Sequence, residues 1–356
     1  MKRHLDESSG PRYNGGMSLP VSVEGVCDVT VIRGAAADPA RVPDLVVELP
    51  HGATRTADYD RMRARLAGAY DADLVDFFHV NTDIGSPELA HTLAAALVAA
   101  RPAFAVAVVQ SRIPRTFVDC NRVIDAAPEA FREGKVTPGV PPWIRHPDDL
   151  AWLQEQHAAY VSVARAVIDA VCGSGGVALL LHTYAPRSVD VEVSDRIVAD
   201  LRAAYLPETV GTWPLRPMVD VIGRTLAGES MVDVQLHADL VSGYGALDID
   251  VADGRTYPLH PSTGASTTPR VGRGAPSASR SAAICSPTPG TPSSRWSSRR
   301  RTPRVSPPRW RPRSAPGTRA RRRRRAAGST RPGSSVIVAA CSSSAIRTPS
   351  WARWTT

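Results

Sequence analysis

Two histidines and a cluster of arginines follow three separate apolar segments of the sequence. His51 and His182 each come just after such a segment, and the third segment leads into Ser111–Arg122, which holds three arginines. The segments are Leu45–Leu49, Val177–Leu181 and Phe104–Val109, and each is typical of a buried strand. Ligands of open α/β sheets bind beyond the carboxyl ends of the strands. Imidazole binds metals, and arginine binds carboxylates through paired hydrogen bonds. The pattern therefore indicates a metal site beside an anion pocket.

A third metal ligand is expected, because catalytic zinc usually has three protein ligands and one open position. Asp83 is the first candidate, since it follows the apolar segment Val75–Val80, which we predict to be a strand. Glu88 is the second, on the first turn of the next helix. Asp83 could instead only cap that helix, and His51 could only bind a loop carbonyl. Weaker candidates are Asp58 and Glu48.

The arginine segment contains Arg112, Arg115 and Arg122 together with Asp119 and Asn121. The arginines could form an ordinary solvated surface. In an extended chain, Asp119 and Asn121 would face one side and Arg122 the other. These three side chains can share a pocket only where the segment turns.

Strands alternate with helices through most of the first 262 residues. We predict strands at 44–49, 75–80, 104–109 and 177–181, helices at 57–69, 87–100, 149–171 and 194–204, a long loop at 123–148, and weaker strands at 232–236 and 246–249. Such alternation favours a single α/β domain with a central mixed, mostly parallel sheet flanked by helices.

The composition changes abruptly near Thr263. Residues 1–262 hold 23 of the 43 basic residues and all 34 acidic ones, a net charge of −11, whereas residues 263–356 hold 20 arginines and no acidic residue, a net charge of +20. The second part also lacks leucine, the main residue of protein cores. We therefore predict a flexible segment at 1–20, a folded domain at 21–262 and a disordered tail at 263–356. Translation of a GC-rich gene out of frame explains such a tail better than a nucleic-acid-binding arm does.

Several classes of protein fit the sequence poorly. The N-terminus lacks the apolar core of a signal peptide, and no apolar run approaches the roughly 20 residues of a membrane-spanning helix. Cys27, Cys120 and Cys172 are too few and too scattered for a disulfide framework, which fits the cytoplasm. The motifs GxSxG, HExxH and GxGxxG are absent.

The motifs taken together resemble the N-formylglutamate amidohydrolase family, over roughly residues 45–262. That family is related in fold to the zinc carboxypeptidases and to succinylglutamate desuccinylase. The resemblance is carried by Leu49–Gly52, Asn81–Asp83, Arg115–Arg122 and Leu181–Tyr184. It implies a zinc-exopeptidase or phosphorylase/hydrolase-like fold and a Zn²⁺-dependent hydrolase that cleaves an N-acyl amino acid.

The resemblance also implies roles for individual residues. His51, His182 and Asp83 would hold the zinc ion. Asn121 and Arg122 would bind the substrate carboxylate, and Arg115 would stabilise the oxyanion or bind a second carboxylate.

The chain departs from the family in two places. The family's PHSG-like turn reads Pro50–Ala53 here, which suggests a different N-acyl amino acid as substrate. Family members also have a late strand with a glutamate that resembles the general base of the carboxypeptidases, and residues 263–356 contain no glutamate. The general base is therefore unknown and expected to be lost with that segment, so we expect a poorly stable product that is weakly active or inactive. A carboxylate-binding protein without turnover, or nucleic-acid association through the basic tail, are the alternatives.

Overall fold

The structure is a computed structural model that describes residues 19–124, 139–228, 232, 234–249, 251–256, 259, 280–282 and 335–342, the last two segments as backbone only. Its strands are β1 (Cys27–Arg33), β2 (Leu45–Leu49), β3 (Ala105–Ser111), β4 (Val177–Tyr184), β5 (Val219–Val221), β6 (Val251–Asp253), β7 (Arg280–Ala282) and β8 (Ser335–Ser342). Its helices are α1 (Thr56–Arg63), α2 (Leu74–Asn81), α3 (Ser86–Ala100), α4 (Pro147–Gly173), α5 (Ile197–Ala204), α6 (Pro207–Val210) and α7 (Val234–Gly245).

The described strands form one mixed sheet in the order β1-β3-β2-β4-β8-β5-β6, with β7 beside β8. Strand β2 lies between β3 and β4 and is parallel to both. Strand β1 runs antiparallel at the edge, next to β3. The carboxyl ends of β3, β2 and β4 therefore lie side by side at one edge of the sheet, as the sequence predicted.

Both faces of the parallel strands are buried under helices. Alternate residues of β2 point to opposite sides, so that Val46 joins a core with Tyr160 of α4, while Val47 packs with Ala90 and Ala94 of α3. The apolar character of the strands follows from this double coverage. No helix in the described part of the chain is long and apolar enough to cross a membrane.

Three strand predictions were wrong. Residues 75–80 lie in helix α2, where the buried Leu74, Phe77 and Phe78 have the spacing of one helical face. Residues 234–236 open helix α7 instead of forming a strand at 232–236. The expected strand at 246–249 is a turn and its continuation, and strand β6 follows at Val251.

The predicted tail at 263–356 contributes two short segments to the described structure. Two segments of it, β7 and β8, are strands, and β8 pairs with β4 over eight residues, from Val177↔Ser335 to Tyr184↔Ser342. The edge of β4 that a missing strand would leave open is therefore paired. The rest of 263–356 lies outside the described residues, as do residues 1–18 of the predicted flexible N-terminus and 125–138 of the predicted loop.

Candidate metal centre

His51, Asp83 and His182 converge in one buried group. Their exposed fractions are 4%, 5% and 8%, and their ligand atoms all lie within 4.8 Å of one another. Asp83 Oδ2 lies 2.9 Å from His182 Nδ1 and 3.4 Å from His51 Nδ1. Within the described part of the chain, these three side chains form the group that could hold a metal ion.

His51 is fixed by the turn that ends β2. The backbone N–H of Gly52 donates to Leu49 O at 3.1 Å, and Gln110 Nε2 of β3 donates to Gly52 O at 2.8 Å. A Cβ atom at Gly52 would lie 2.6 Å from Gln110 Cγ, so that glycine is needed for the close approach of turn and strand. The turn thus places the imidazole at the carboxyl edge of the sheet.

Asp83 lies on the connection between α2 and α3, and hydrogen bonds of the residues on either side of it fix this connection. Thr82 Oγ1 donates to Ala53 O at 3.0 Å in the turn after His51, and Thr183 Oγ1 of β4 donates to Ile84 O at 2.9 Å. The N-cap of α3 is Gly85, without a side-chain capping bond. Asp83 therefore does not cap the helix, and its carboxylate turns to the histidines and to the backbone N–H of Thr183.

The arginine segment turns sharply after β3, so the extended conformation considered from the sequence is not adopted. The N–H of Arg122 donates to Asp119 O at 3.1 Å, and the N–H of Asn121 donates to Asp119 Oδ1 at 2.8 Å. Arg115 Nε donates to Asp119 Oδ2 at 2.8 Å, and Arg122 Nε lies 3.9 Å from the same oxygen. Asp119, Arg115, Asn121 and Arg122 therefore share one site.

Asp119 joins this segment to the metal group. Its Oδ1 lies 2.8 Å from His51 Nε2, and its side chain is buried between the imidazole and the two guanidinium groups. A carboxylate on the outer nitrogen of a histidine fixes the tautomer and leaves the other nitrogen for a metal. Asp119 belongs to the arginine segment identified in the sequence. An extended conformation of that segment did not predict its contact with His51.

The charges suit metal ligation. Burial alone would raise the pKa of Asp83, but His51 and the hydrogen bond to His182 bring it far below its ordinary value. Burial likewise opposes ionisation of Asp119, and Arg115 and Arg122 nevertheless hold its pKa well below the usual range. The pKa of His182 is lowered by burial, against the pull of Asp83. Both carboxylates are thus ionised, and His182 is in the neutral form that metals bind.

The pKa of His51 is shifted in the opposite direction, upwards. Burial lowers its pKa, but Asp119 and Asp83 outweigh burial and raise it overall. A metal ion would take the place of that proton at Nδ1, which has no hydrogen-bond partner in the described structure.

The other candidates lie elsewhere. Glu88 is exposed, and it lines a separate cavity of about 440 Å³ together with Arg112 and Gln110. Arg112 donates to Asp28 Oδ2 at 2.5 Å rather than joining Arg115 and Arg122. Asp58 is buried and paired with Arg61 at 3.0 Å, and Glu48 accepts a hydrogen bond from Tyr160 Oη at 2.9 Å.

Comparison with known proteins identifies no relative of established function. No protein-family model and no curated protein matches this sequence. Among solved structures, the crystal structure of gene product Atu2144 from Agrobacterium tumefaciens is similar, with 16% sequence identity and a TM-score of 0.37. The similarity covers 65% of this chain and 74% of that chain.

Proposed function

We propose that this protein is a metal-dependent amidohydrolase that cleaves an N-acyl amino acid such as N-formylglutamate, with a fold of the zinc-exopeptidase kind. The observation that carries the proposal is the buried group of His51, Asp83 and His182, with Asp119 on the outer nitrogen of His51. Two nitrogens and one carboxylate form the ligand set of a hydrolytic zinc site, whereas structural zinc sites are closed by four protein ligands.

Two of the three ligand pairs have separations close to those of a zinc site, and all three ligand atoms lie within 4.8 Å of one another. Ligands 2.0–2.1 Å from a tetrahedral zinc ion lie roughly 3.3 Å apart, and Asp83 Oδ2 lies 3.4 Å from His51 Nδ1 and 2.9 Å from His182 Nδ1. His51 Nδ1 makes no hydrogen bond in the described structure and has the Asp83 carboxylate as its neighbour, so this nitrogen is open to a metal ion. A zinc ion held there would polarise the amide carbonyl and bring the pKa of bound water to about 7.

The arginines beside this group suit a substrate that carries carboxylates. Arg115 and Arg122 both approach Asp119, which also contacts His51, so their positive charge lies next to the metal ligands. In the proposed reaction Arg115 supports the developing oxyanion. Arg122 binds the carboxylate of the amino acid.

One observation favours a second function, carboxylate binding without turnover. The two carboxylates of the site are engaged, Asp83 with the two histidines and Asp119 with Arg115 and His51, and Glu48 of β2 is paired with Tyr160. Each of these pairings competes with a role as general base. The general base therefore stays unassigned, and positioned acid–base groups typically contribute about 10²–10⁴-fold to rate.

Hydrolysis by the zinc-loaded full chain tests the two functions against each other. The measurement is release of glutamate from N-formylglutamate, with ligand-induced thermal stabilisation followed in parallel. We expect weak turnover that His182→Gln abolishes and that His91→Gln, a change at an exposed histidine of α3, leaves intact. Stabilisation without turnover would support the binding protein, and the absence of both would contradict the proposal.

A further inference from the structure

The turn after β3 faces the outer nitrogens of both histidines of the metal group. Asp119 Oδ1 lies 2.8 Å from His51 Nε2, and Asn121 Nδ2 lies 3.4 Å from His182 Nε2. The backbone N–H of Asn121 donates to Asp119 Oδ1 at 2.8 Å, so the two side chains are held by one turn. The two imidazoles, 4.8 Å apart between ring centres, thus have a polar side chain each on the Nε2 side.

The chemistry of His182 requires a hydrogen-bond acceptor at this position. His182 directs Nδ1 towards Asp83, 2.9 Å from Oδ2. A histidine that binds a metal through Nδ1 carries its proton on Nε2, and that N–H is normally taken up by a carboxylate, carbonyl or water. His182 is nearly buried, and the side chain in contact with its Nε2 is the amide of Asn121.

The amide of Asn121 can supply that acceptor. Its Oδ1 is buried and has no hydrogen-bond partner in the described structure. The oxygen and nitrogen of an amide exchange places on a half-turn about the last side-chain bond, since the two ends have nearly the same shape. In the exchanged orientation, Oδ1 faces Nε2 of His182 and accepts a hydrogen bond from its N–H.

We propose that Asn121 is a positioning residue for His182, holding through its amide oxygen the tautomer that binds a metal through Nδ1. This inference rests on the proposed function only in requiring a metal at His51, Asp83 and His182. It differs from the role implied by the family resemblance, in which Asn121 binds the substrate carboxylate. Asp119 and Asn121 then orient one metal ligand each from the same turn.

Metal affinity in two substitutions separates these roles. Asn121→Leu removes the acceptor at similar size and lowers the affinity for Zn²⁺ or Co²⁺ about 10–100-fold, the usual effect of losing an outer partner of a metal ligand. Asn121→Asp keeps an oxygen acceptor and restores the affinity of the unaltered protein. A residue that only bound substrate would leave the affinity unchanged in both variants and raise KM in both.

The experiment uses the full chain, titrated with each metal and followed by the visible absorption of Co²⁺, which reports the ligand geometry. Thermal unfolding of the metal-free proteins shows whether each variant folds, and Asn121→Ala replaces Asn121→Leu where the latter does not. Unaltered protein that binds no metal would overturn the proposed function itself. Unaltered protein that binds metal with the same affinity as the Leu or Ala variant would overturn the role of Asn121 alone.

Discussion

Asp119 links the two halves of the candidate site, since one oxygen faces His51 and the other faces Arg115 and Arg122. A neutral amide in its place would lack the negative charge that favours a proton on His51 Nε2, so the tautomer would be held less firmly. The same carboxylate balances the charge of two arginines in a buried setting. Its removal therefore affects both metal binding and the arginines.

We expect Asp119→Asn to lower the affinity for zinc about 10–100-fold, as loss of the outer partner of a ligating histidine usually does. The measurement is a competition titration with a chelator. Asp58→Asn is the matched control, because Asp58 is also buried and paired with arginine but lies outside the metal group. Equal affinity in the Asp119 variant and the unaltered protein would contradict the contact with His51.

Glu48 should make the metal-free protein less stable as the pH rises. Burial raises its pKa from 4.5 to about 7, against the opposing effects of Tyr160 and His51. The folded state therefore holds a proton that the unfolded state loses, and stability falls between these two pH values by on the order of 3 kcal/mol.

Glu48→Gln should remove this loss, because the amide stays neutral and still accepts the hydrogen bond of Tyr160. Urea unfolding at pH 4.5 and pH 8 measures it. The variant and the unaltered protein should differ little at the lower pH, and the variant should be the more stable at the higher. A constant difference at both pH values would show that Glu48 does not titrate in this range.

The sequence was sufficient to bring His51 and His182 together, because they follow the neighbouring parallel strands β2 and β4, whose ends meet at one edge of the sheet. It was insufficient for Asp119, since the turn of that segment depends on its own hydrogen bonds and on Gly139 O, which accepts the N–H of Asp119 at 2.8 Å. The Asp-x-Asn sequence, with residues that favour turns, was the available signal.

At the level of elements, Asp83 was selected for a partly wrong reason. Helix α2 was taken for a strand because four of the six residues from Val75 to Val80 are apolar, and a short apolar run does not distinguish a strand from a buried helix. Asp83 nevertheless follows the element, and its position comes from hydrogen bonds to the turn after β2 and to β4. The connection between elements, not the preceding element, places this ligand.

The turn between β2 and α1 has no room for a larger residue at Gly52. Gly52→Ala would bring a Cβ 2.6 Å from Gln110 Cγ and 3.1 Å from Leu49 O, so the turn that carries His51 must shift. We expect a destabilisation of about 1–3 kcal/mol and weaker zinc binding, measured by thermal unfolding and metal titration.

Gly173→Ala is the matched control, because nothing lies within 4 Å of a Cβ at that helix end. It should leave the metal affinity unchanged. Normal zinc binding by the Gly52 variant would contradict the tight packing of this turn.

For the molecule as a whole, the alternation of elements correctly predicted a mixed, mostly parallel sheet between helices. The backbone pairing of β8 with β4 was not predictable from composition, because a segment rich in arginine and serine has little apolar surface to bury. The short apolar run from Val336 to Ala340 is the local exception within that tail. Composition averages over such a run and so conceals it.

The two parts of the chain carry opposite net charges, which should affect binding to nucleic acid. Ending the chain at Ser262 removes 20 arginines and leaves a net charge of −11. Association with duplex DNA at low salt, steeply salt-dependent and independent of base sequence, should disappear with the tail. Fluorescence anisotropy measures it, and undiminished binding by the shortened chain would show that the folded part contains a nucleic-acid surface.

The metal content of two acidic variants shows whether Asp83 is a metal ligand. Asp83→Asn weakens a ligand of the proposed site, whereas Glu88→Gln changes the exposed alternative five residues further along the chain. After loading with zinc and dialysis, we expect about one ion per chain in the unaltered protein and the Glu88 variant, and little in the Asp83 variant. Zinc retained without Asp83, or lost without Glu88, would contradict the metal centre described here.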